Sequence, residues 1–268
     1  MNINELTGQL HTKWAARNLV FLEETASTQD AARKMCLEGA PHGTLCITGN
    51  QTAGRGRVGR SWSCPPDVNI AMTMLLRPQI PPEFAPMITL VMGLSVAEAI
   101  SGELPDSAPP AMIKWPNDIV MGGKKVCGIL VEMVTLPDGG YACLAGTGIN
   151  VHQRELPGEL SQIAGSIFTQ TGSDIGRSRL AAAVCGRFEI NYEEFERAGN
   201  LETLAGRYEE RLINTGRTVV ITDRTDSYEA VAMGIDPESG ALKIKTDDEG
   251  IKKINAGEVS VRGLYGYV

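Results

Sequence analysis

The residues best placed for chemistry lie in the first quarter of the chain. Gly54-Arg55-Gly56-Arg57-Val58-Gly59-Arg60 sets three arginines among three glycines. Glycine tolerates backbone conformations closed to other residues and lets main chain approach a ligand closely. Arginine keeps its charge and offers a planar fork of donors suited to phosphate or carboxylate. Between Gly39 and Pro66 there is no Asp or Glu, so no acidic neighbour along the chain neutralises these charges. A short charge cluster is most often a solvated surface turn. Three glycines in register with three arginines point instead to a segment that wraps a small anionic substrate.

A second constellation is Lys114-Trp115-Pro116-Asn117-Asp118, followed by Lys125-Val126-Cys127-Gly128-Ile129-Leu130-Val131-Glu132. Lys114 sits in an apolar run, and a buried ammonium without a partner is costly. Pro-Asn-Asp is by itself ordinary turn chemistry, and Lys125 by itself an ordinary strand-edge lysine. A third, Glu24-Thr25-Ala26-Ser27-Thr28-Gln29-Asp30, reads as a helix cap whose hydroxyls and free amides could also bind a polar ligand group. Gly54-x-Gly56-x-x-Gly59 formally matches a dinucleotide fingerprint. It leads into Ser61-Trp62-Ser63-Cys64-Pro65-Pro66 rather than a helix, which excludes that reading, and no Gly-Lys-Ser/Thr follows to make a nucleoside-triphosphate loop.

The elements that must position these residues can be read along the chain. A helix is expected over Ser27 to Gly39, with Ser27 or Thr28 as cap and Gly39 as stop. Thr44 to Thr48 reads as a strand entering the arginine loop, and Asn69 to Arg77 as a buried strand between prolines. Phe84 to Ser101 has helical periodicity. Met112 to Trp115, Asp118 to Met121, Lys125 to Val134 and Tyr141 to Val151 read as strands, with Gly122-Gly123 as a turn. Helices follow at Arg177 to Ala198 and Leu201 to Asn214. From Thr215 the texture changes to five short strands, Thr218 to Ile221, Tyr228 to Ile235, Leu242 to Thr246, Ile251 to Ile254 and Val259 to Arg262. Turns at Asp236 to Gly240 and Asp247 to Gly250 separate them. Such a unit is too small to build much core alone and is expected to pack on the larger part as a small barrel.

The 268 residues carry a net charge of −7, which argues against bulk nucleic-acid binding through a basic face. Met1 to Gln9 lacks the basic start and apolar run of a secretory signal. No stretch approaches the roughly 18 uninterrupted apolar residues of a membrane span. The six cysteines form no C-x-x-C pair and have no His at zinc spacing. Most of them read as small buried hydrophobes in a reducing cytoplasm.

Taken in order, these segments resemble the biotin protein ligase family. The pattern consists of Ser27-Thr28, Gln51 through Trp62, Lys114 through Asp118, Lys125 through Glu132, Gly146-Thr147-Gly148-Ile149-Asn150 and Gly257-Glu258-Val259-Ser260-Val261-Arg262. Gln29 stands where the family usually has Asn. The resemblance implies an α+β fold: a class II synthetase-like catalytic domain, residues 1–214, with a mixed β-sheet flanked by helices. A small C-terminal SH3-like β-barrel would occupy residues 215–268. Members that repress transcription carry an N-terminal winged helix-turn-helix, and Ser27 follows too few residues to leave room for one. The expectation is therefore the monofunctional class.

By that resemblance, the enzyme joins biotin to ATP as biotinyl-5′-AMP and passes the biotinyl group to a lysine of a biotin carboxyl carrier domain. The biotin carboxylate is already a nucleophile, so charge neutralisation and positioning suffice. The resemblance assigns catalysis to Lys125, Arg57, Arg60 and Asp118. Biotin contacts fall to Ser27, Thr28, Gln51, Gly54, Arg55, Gly56, Arg57, Lys125 and Gly128. ATP contacts fall to Arg57, Arg60, Trp62, Lys114, Asn117, Lys125 and Asn150. Mg²⁺ would come with the ATP phosphates rather than in a metal site of the protein. No DNA or membrane partner is expected, a homodimer is allowed, and the location is cytoplasmic. A lipoate or octanoate ligase is the neighbouring enzyme reading. A catalytically idle biotin-sensing regulator or nucleic-acid module is the reading from another class, disfavoured by the acidic balance.

Overall fold

The computed structural model describes residues 1–222, 227–246, 250–256, 260–263 and 267–268. A helix, α1 (Ile3–Gln9), precedes an edge strand, β1 (Leu19–Thr25), and α2 (Thr28–Leu37). Then come β2 (Leu45–Arg55), β3 (Ser61–Cys64), β4 (Ile70–Leu76) and α3 (Ile88–Glu103). The short strands β5 (Met112–Lys114) and β6 (Asp118–Met121) lead into the long pair β7 (Lys124–Thr135) and β8 (Tyr141–Ile149). Four helices follow: α4 (Leu160–Ile163), α5 (Ile167–Thr171), α6 (Arg177–Ala198) and α7 (Glu202–Arg211).

The strands form one mixed sheet in the order β1-β2-β4-β8-β7-β6-β5, with β3 hydrogen-bonded to β2. Only β1 and β2 run parallel; the other pairings are antiparallel. Helices cover both faces, and strand alternation shows how. Leu45, Ile47, Met72, Met74, Cys143 and Ala145 face the core built with α3 and α6. Cys46, Leu75, Ala142 and Leu144 face the opposite side, under Ala32 and Cys36 of α2. Burial on both faces is why β4 reads as an unbroken apolar run. The segment Pro82–Glu103 is long and apolar enough to cross a membrane, but it is largely buried as the core helix under this sheet.

Two expected elements are longer or shorter than their sequence reading. Residues 44–48 are only the start of β2, which continues to Arg55, so Gly54 and Arg55 lie in a strand paired with Trp62 and Ser61. Residues 201–214 hold the shorter α7, after which the chain turns back through Asn214 to the backbone of Trp115. The expected helix at 177–198 has those bounds. The sequence reading did not include α1, β1, β3, α4 and α5.

After α7 come β9 (Thr218–Thr222), β10 (Ser227–Ile235), β11 (Leu242–Thr246), β12 (Gly250–Ile254) and β13 (Ser260–Gly263). They form an antiparallel sheet in the order β12-β11-β10-β9-β13. The described residues make an open sheet, with β12 and β13 at its edges, and not the closed barrel expected. The expected turn at 247–249 and the motif residues Gly257, Glu258 and Val259 lie outside the described residues. The inner face, with Val219, Ile221, Ala232, Leu242 and Ile244, joins the main core rather than forming its own. The indole Nε1–H of Trp115 donates to the Gly240 carbonyl at 3.0 Å, and the Ile235 N–H donates to Glu209 at 3.1 Å.

Candidate active site

A cleft of about 480 Å³, partly open to solvent, lies on the α2 face of the sheet. Its floor follows from strand period. Gly146 and Gly148 project to one face of β8, opposite Leu130 and Gly128 of β7, and leave a hollow between the strands. The Trp62 indole lies in that hollow. A Cβ on Gly148 would stand 2.4 Å from the ring, and one on Gly128 3.0 Å from both the ring and the Lys125 ammonium.

The inner end of the cleft is polar. Ser27, in extended backbone, is the N-cap of α2, but its side chain makes no capping bond. Gln51 does that work from β2: its Oε1 accepts from the Thr28 N–H at 2.9 Å and from the Thr28 hydroxyl at 3.2 Å. Thr73 donates to the Thr28 hydroxyl at 2.9 Å. Gln29 reaches across to the Leu130 and Leu144 carbonyls through its amide nitrogen. Its Oε1, the Thr147 hydroxyl and the Trp62 indole nitrogen are buried without a hydrogen-bond partner. Buried polar groups are normally paired, so three orphans lining one cleft mark a place where a polar ligand would complete the bonding.

The mouth is cationic. Arg57, in the 3₁₀ turn Arg57–Gly59, donates to Asn117 Oδ1 at 3.1 Å and to the Ala256 carbonyl of the C-terminal sheet. Asn117 is fixed in turn by donating to the Ile129 carbonyl at 3.0 Å and accepting from its N–H at 2.9 Å. Lys125 pairs with Asp118 at 2.5 Å and lies 5.6 Å from the Trp62 ring centre. Burial lowers Arg57 from its ordinary value, against the Asp118 charge and with that of Arg60.

Behind this pair lies Lys114, 5% exposed, its ammonium 4.1 Å over the ring of Tyr267. Burial pushes Lys114 down to about 8; Asp118 opposes the shift, and Lys125, Arg262 and Arg60 add to it. The partner that the apolar run at 113–115 demanded is thus an aromatic face and a carboxylate, one from the far end of the chain. The Tyr267 hydroxyl donates to the second oxygen of Asp118.

Of the residues expected in the site, Ser27, Thr28, Gln51, Arg55, Gly56, Arg57, Trp62, Asn117, Lys125 and Gly128 line the cleft. Gly54, Arg60, Lys114, Asp118 and Asn150 stand outside its lining. Gly54 belongs to the β2–β3 pairing beneath, where a Cβ would meet the Gln51 side chain at 2.3 Å and the Trp62 carbonyl at 2.5 Å. Arg60 is exposed at the rim. Asn150 donates to the Gly165 carbonyl at 3.0 Å and holds the following loop against the sheet. The Arg55 guanidinium turns to Asp30, 2.7 Å away, so tertiary structure supplies the acidic partner that the local sequence lacks. Thr73 and Tyr267 were not singled out from sequence, and Gln29 and Thr147 were named there only within motifs, with no site role. The bond to Thr28 reveals Thr73, the orphaned oxygens reveal Gln29 and Thr147, and the pairing with Asp118 reveals Tyr267.

The fold and cleft together define a class. Residues 21–150 match the Biotin/lipoate A/B protein ligase family, and residues 215–262 match the Biotin protein ligase C terminal domain. The chain is 32% identical over 260 residues to the bifunctional ligase/repressor BirA of Bacillus subtilis, covering 96% of this chain and 78% of the relative. It is 29% identical over 249 residues to the biotin–[acetyl-CoA-carboxylase] ligase of Paracoccus denitrificans, covering 91% of this chain and all of that protein. The biotin protein ligase of Aquifex aeolicus, solved in complex with biotin and ATP, superposes with a TM-score of 0.79 at 33% identity, over 92% of this chain and 99% of that one. The chain belongs to the biotin protein ligase family.

Proposed function

We infer that the protein is an ATP-dependent ligase that activates biotin as biotinyl-5′-AMP and transfers the biotinyl group to a lysine of a biotin carboxyl carrier domain. The observation that carries this reading is one cleft with hydrogen-bonding side chains at its inner end, unpartnered polar atoms along its lining, and Lys125 and Arg57 at its mouth. Such a cleft suits an acid with a polar ring system and an anionic carboxylate. In the first step the carboxylate oxygen attacks the α-phosphorus of ATP, an acyl–phosphate bond forms, and the bond to pyrophosphate breaks. Lys125, Arg57 and Arg60 would neutralise the charge gathering there, which in a partly buried site is worth far more than in water. In the second step the carrier lysine amine attacks the acyl carbon and AMP leaves. Asp118, already bonded to Lys125, is suited to orient that amine.

Ser27, Thr28, Gln51 and the backbone of Gly54 to Gly56 are assigned to biotin, with Gly128 allowing close approach. Trp62, Lys114, Asn117 and Asn150 are assigned to the nucleotide side. Mg²⁺ is proposed to enter with the ATP phosphates, whose oxygens supply most of its ligands. Residues 1–214 are read as the catalytic unit and 215–268 as the C-terminal one. A cytoplasmic location and the absence of DNA and membrane partners belong to the same reading. Self-association is compatible with it.

The test is transfer of labelled biotin from biotin and Mg·ATP to an acceptor carrier domain, with Lys125→Ala alongside. Strong labelling by the native protein, lost in the variant, is expected. No labelling, or labelling by lipoate that free biotin does not suppress, would overturn the substrate. Labelling that survives Lys125→Ala would overturn the role of Lys125.

A further inference from the structure

We propose that Tyr267 is a positioning residue for the ligase reaction: its hydroxyl holds Asp118 so that Lys125 is free to leave that carboxylate for the reacting groups. The proposal rests on the ligase reading above and adds a residue from outside the catalytic sheet. Asp118 is 8% exposed and has two partners, Lys125 on Oδ1 and Tyr267 on Oδ2. A buried carboxylate stripped of its counter-charge is unfavourable unless another donor remains. If Lys125 turns to the biotin carboxylate and the α-phosphate, the Tyr267 hydroxyl remains as the donor that keeps Asp118 satisfied. The Tyr267 ring meanwhile braces the Lys114 ammonium at 4.1 Å. One side chain thus ties together both members of the Lys114–Asp118 pair at the ends of β5 and β6.

The chain is shaped to bring Tyr267 there. A Cβ on Gly263 of β13 would stand 2.2 Å from the backbone of Val268, so the final residues return flush against that strand only because Gly263 has no side chain. The contact is main chain, which cannot turn aside as a side-chain tip can.

The test combines Tyr267→Phe, which keeps the ring and removes the hydroxyl, with Asp118→Asn. In single-turnover adenylate synthesis, Tyr267→Phe should slow the step about tenfold, the effect of one lost hydrogen bond, with KM for biotin and ATP within about twofold. In the Asp118→Asn background the same change should alter the rate by less than about twofold, because the group it acts through is gone. Gly263→Ala, which displaces the chain end without touching the cleft, should reproduce the Tyr267→Phe defect. Additive rate losses, or a Tyr267→Phe variant as fast as the native enzyme, would overturn the proposal. A double-mutant cycle on unfolding midpoints reads the Tyr267–Asp118 bond without any substrate. Coupling there with no coupling in rates means a structural tether only and overturns the positioning role. If the native protein makes no biotinyl-adenylate, it is the ligase reading that fails, while the unfolding cycle still reports the bond.

Discussion

Lys125 and its neighbours show how one residue's chemistry is set by others. The roles proposed for Lys125 and Asp118, which form an ion pair, can be told apart by the two half-reactions. Asp118→Asn should slow biotin transfer from pre-formed adenylate at least tenfold more than it slows adenylate synthesis, measured by rapid quench of each step. Equal losses would move Asp118 to ATP or Mg²⁺ binding. Lys114 gives a pH signature. Its ammonium is held down to about 8 by burial, so below that pH it carries the charge that its proposed role on the nucleotide side requires. kcat/KM for ATP should therefore be full below about pH 8 and fall as pH rises through it. Lys114→Arg, which keeps its charge, should move that limb well upward. A limb at the same pH in both proteins would assign the titration to another group. The cysteines offer no competing nucleophile: all six are buried, and burial pushes Cys46 and Cys64 up to about 11.

At the scale of elements, the cleft is a product of paired strands. Gly128 and Gly148 are direct cross-strand partners, and the indole of Trp62 fills the space their missing side chains leave. Gly148→Ala should push the indole out of the hollow and raise KM for ATP by about tenfold or more with little change in the unfolding midpoint. An unchanged KM would detach Trp62 from nucleotide binding. The β2–β3 hairpin carries both Gln51 and the arginines. Its register shift between Gln51 and Gly54 lets the Gln51 amide cap α2 while Arg57 reaches the mouth. Biotin plus ATP should protect residues 54–60 from limited proteolysis, since a reactive adenylate benefits from excluded water. Equal cleavage with and without ligands would count against closure of this hairpin.

The whole molecule joins its two sheets at the cleft mouth. Arg57 is bonded to Ala256, Asp118 to Tyr267, and Trp115 to Gly240. Trp115 is buried, and its indole bond is one of the ties between them. Trp115→Phe leaves the Gly240 carbonyl unpaired and should cost about 1–3 kcal/mol, read as a lower denaturant midpoint with an unchanged slope. A midpoint within error of the native value would mean that this tie adds no stability.

The sequence alone determined the features that repeat locally or leave a chemical signature. An unbroken apolar run marked β4, the Gly122-Gly123 turn led into β7, helical periodicity marked α3, and Gly54 to Arg60 with Lys114 to Asp118 marked the anionic chemistry. β1 was not legible because, at the sheet edge, it is only half buried and carries no clean alternation. The shortness of α7 was hidden because the bond from Asn214 to Trp115 that ends that stretch spans 99 residues. Tertiary structure alone decided which charges stay free. Asp30 takes Arg55, Asp118 takes Lys125, and Tyr267 takes both Asp118 and Lys114. Those choices depend on distances between residues far apart in the chain. Electrostatics and hydrogen bonding fall off over a few ångströms of space, whatever the separation in sequence.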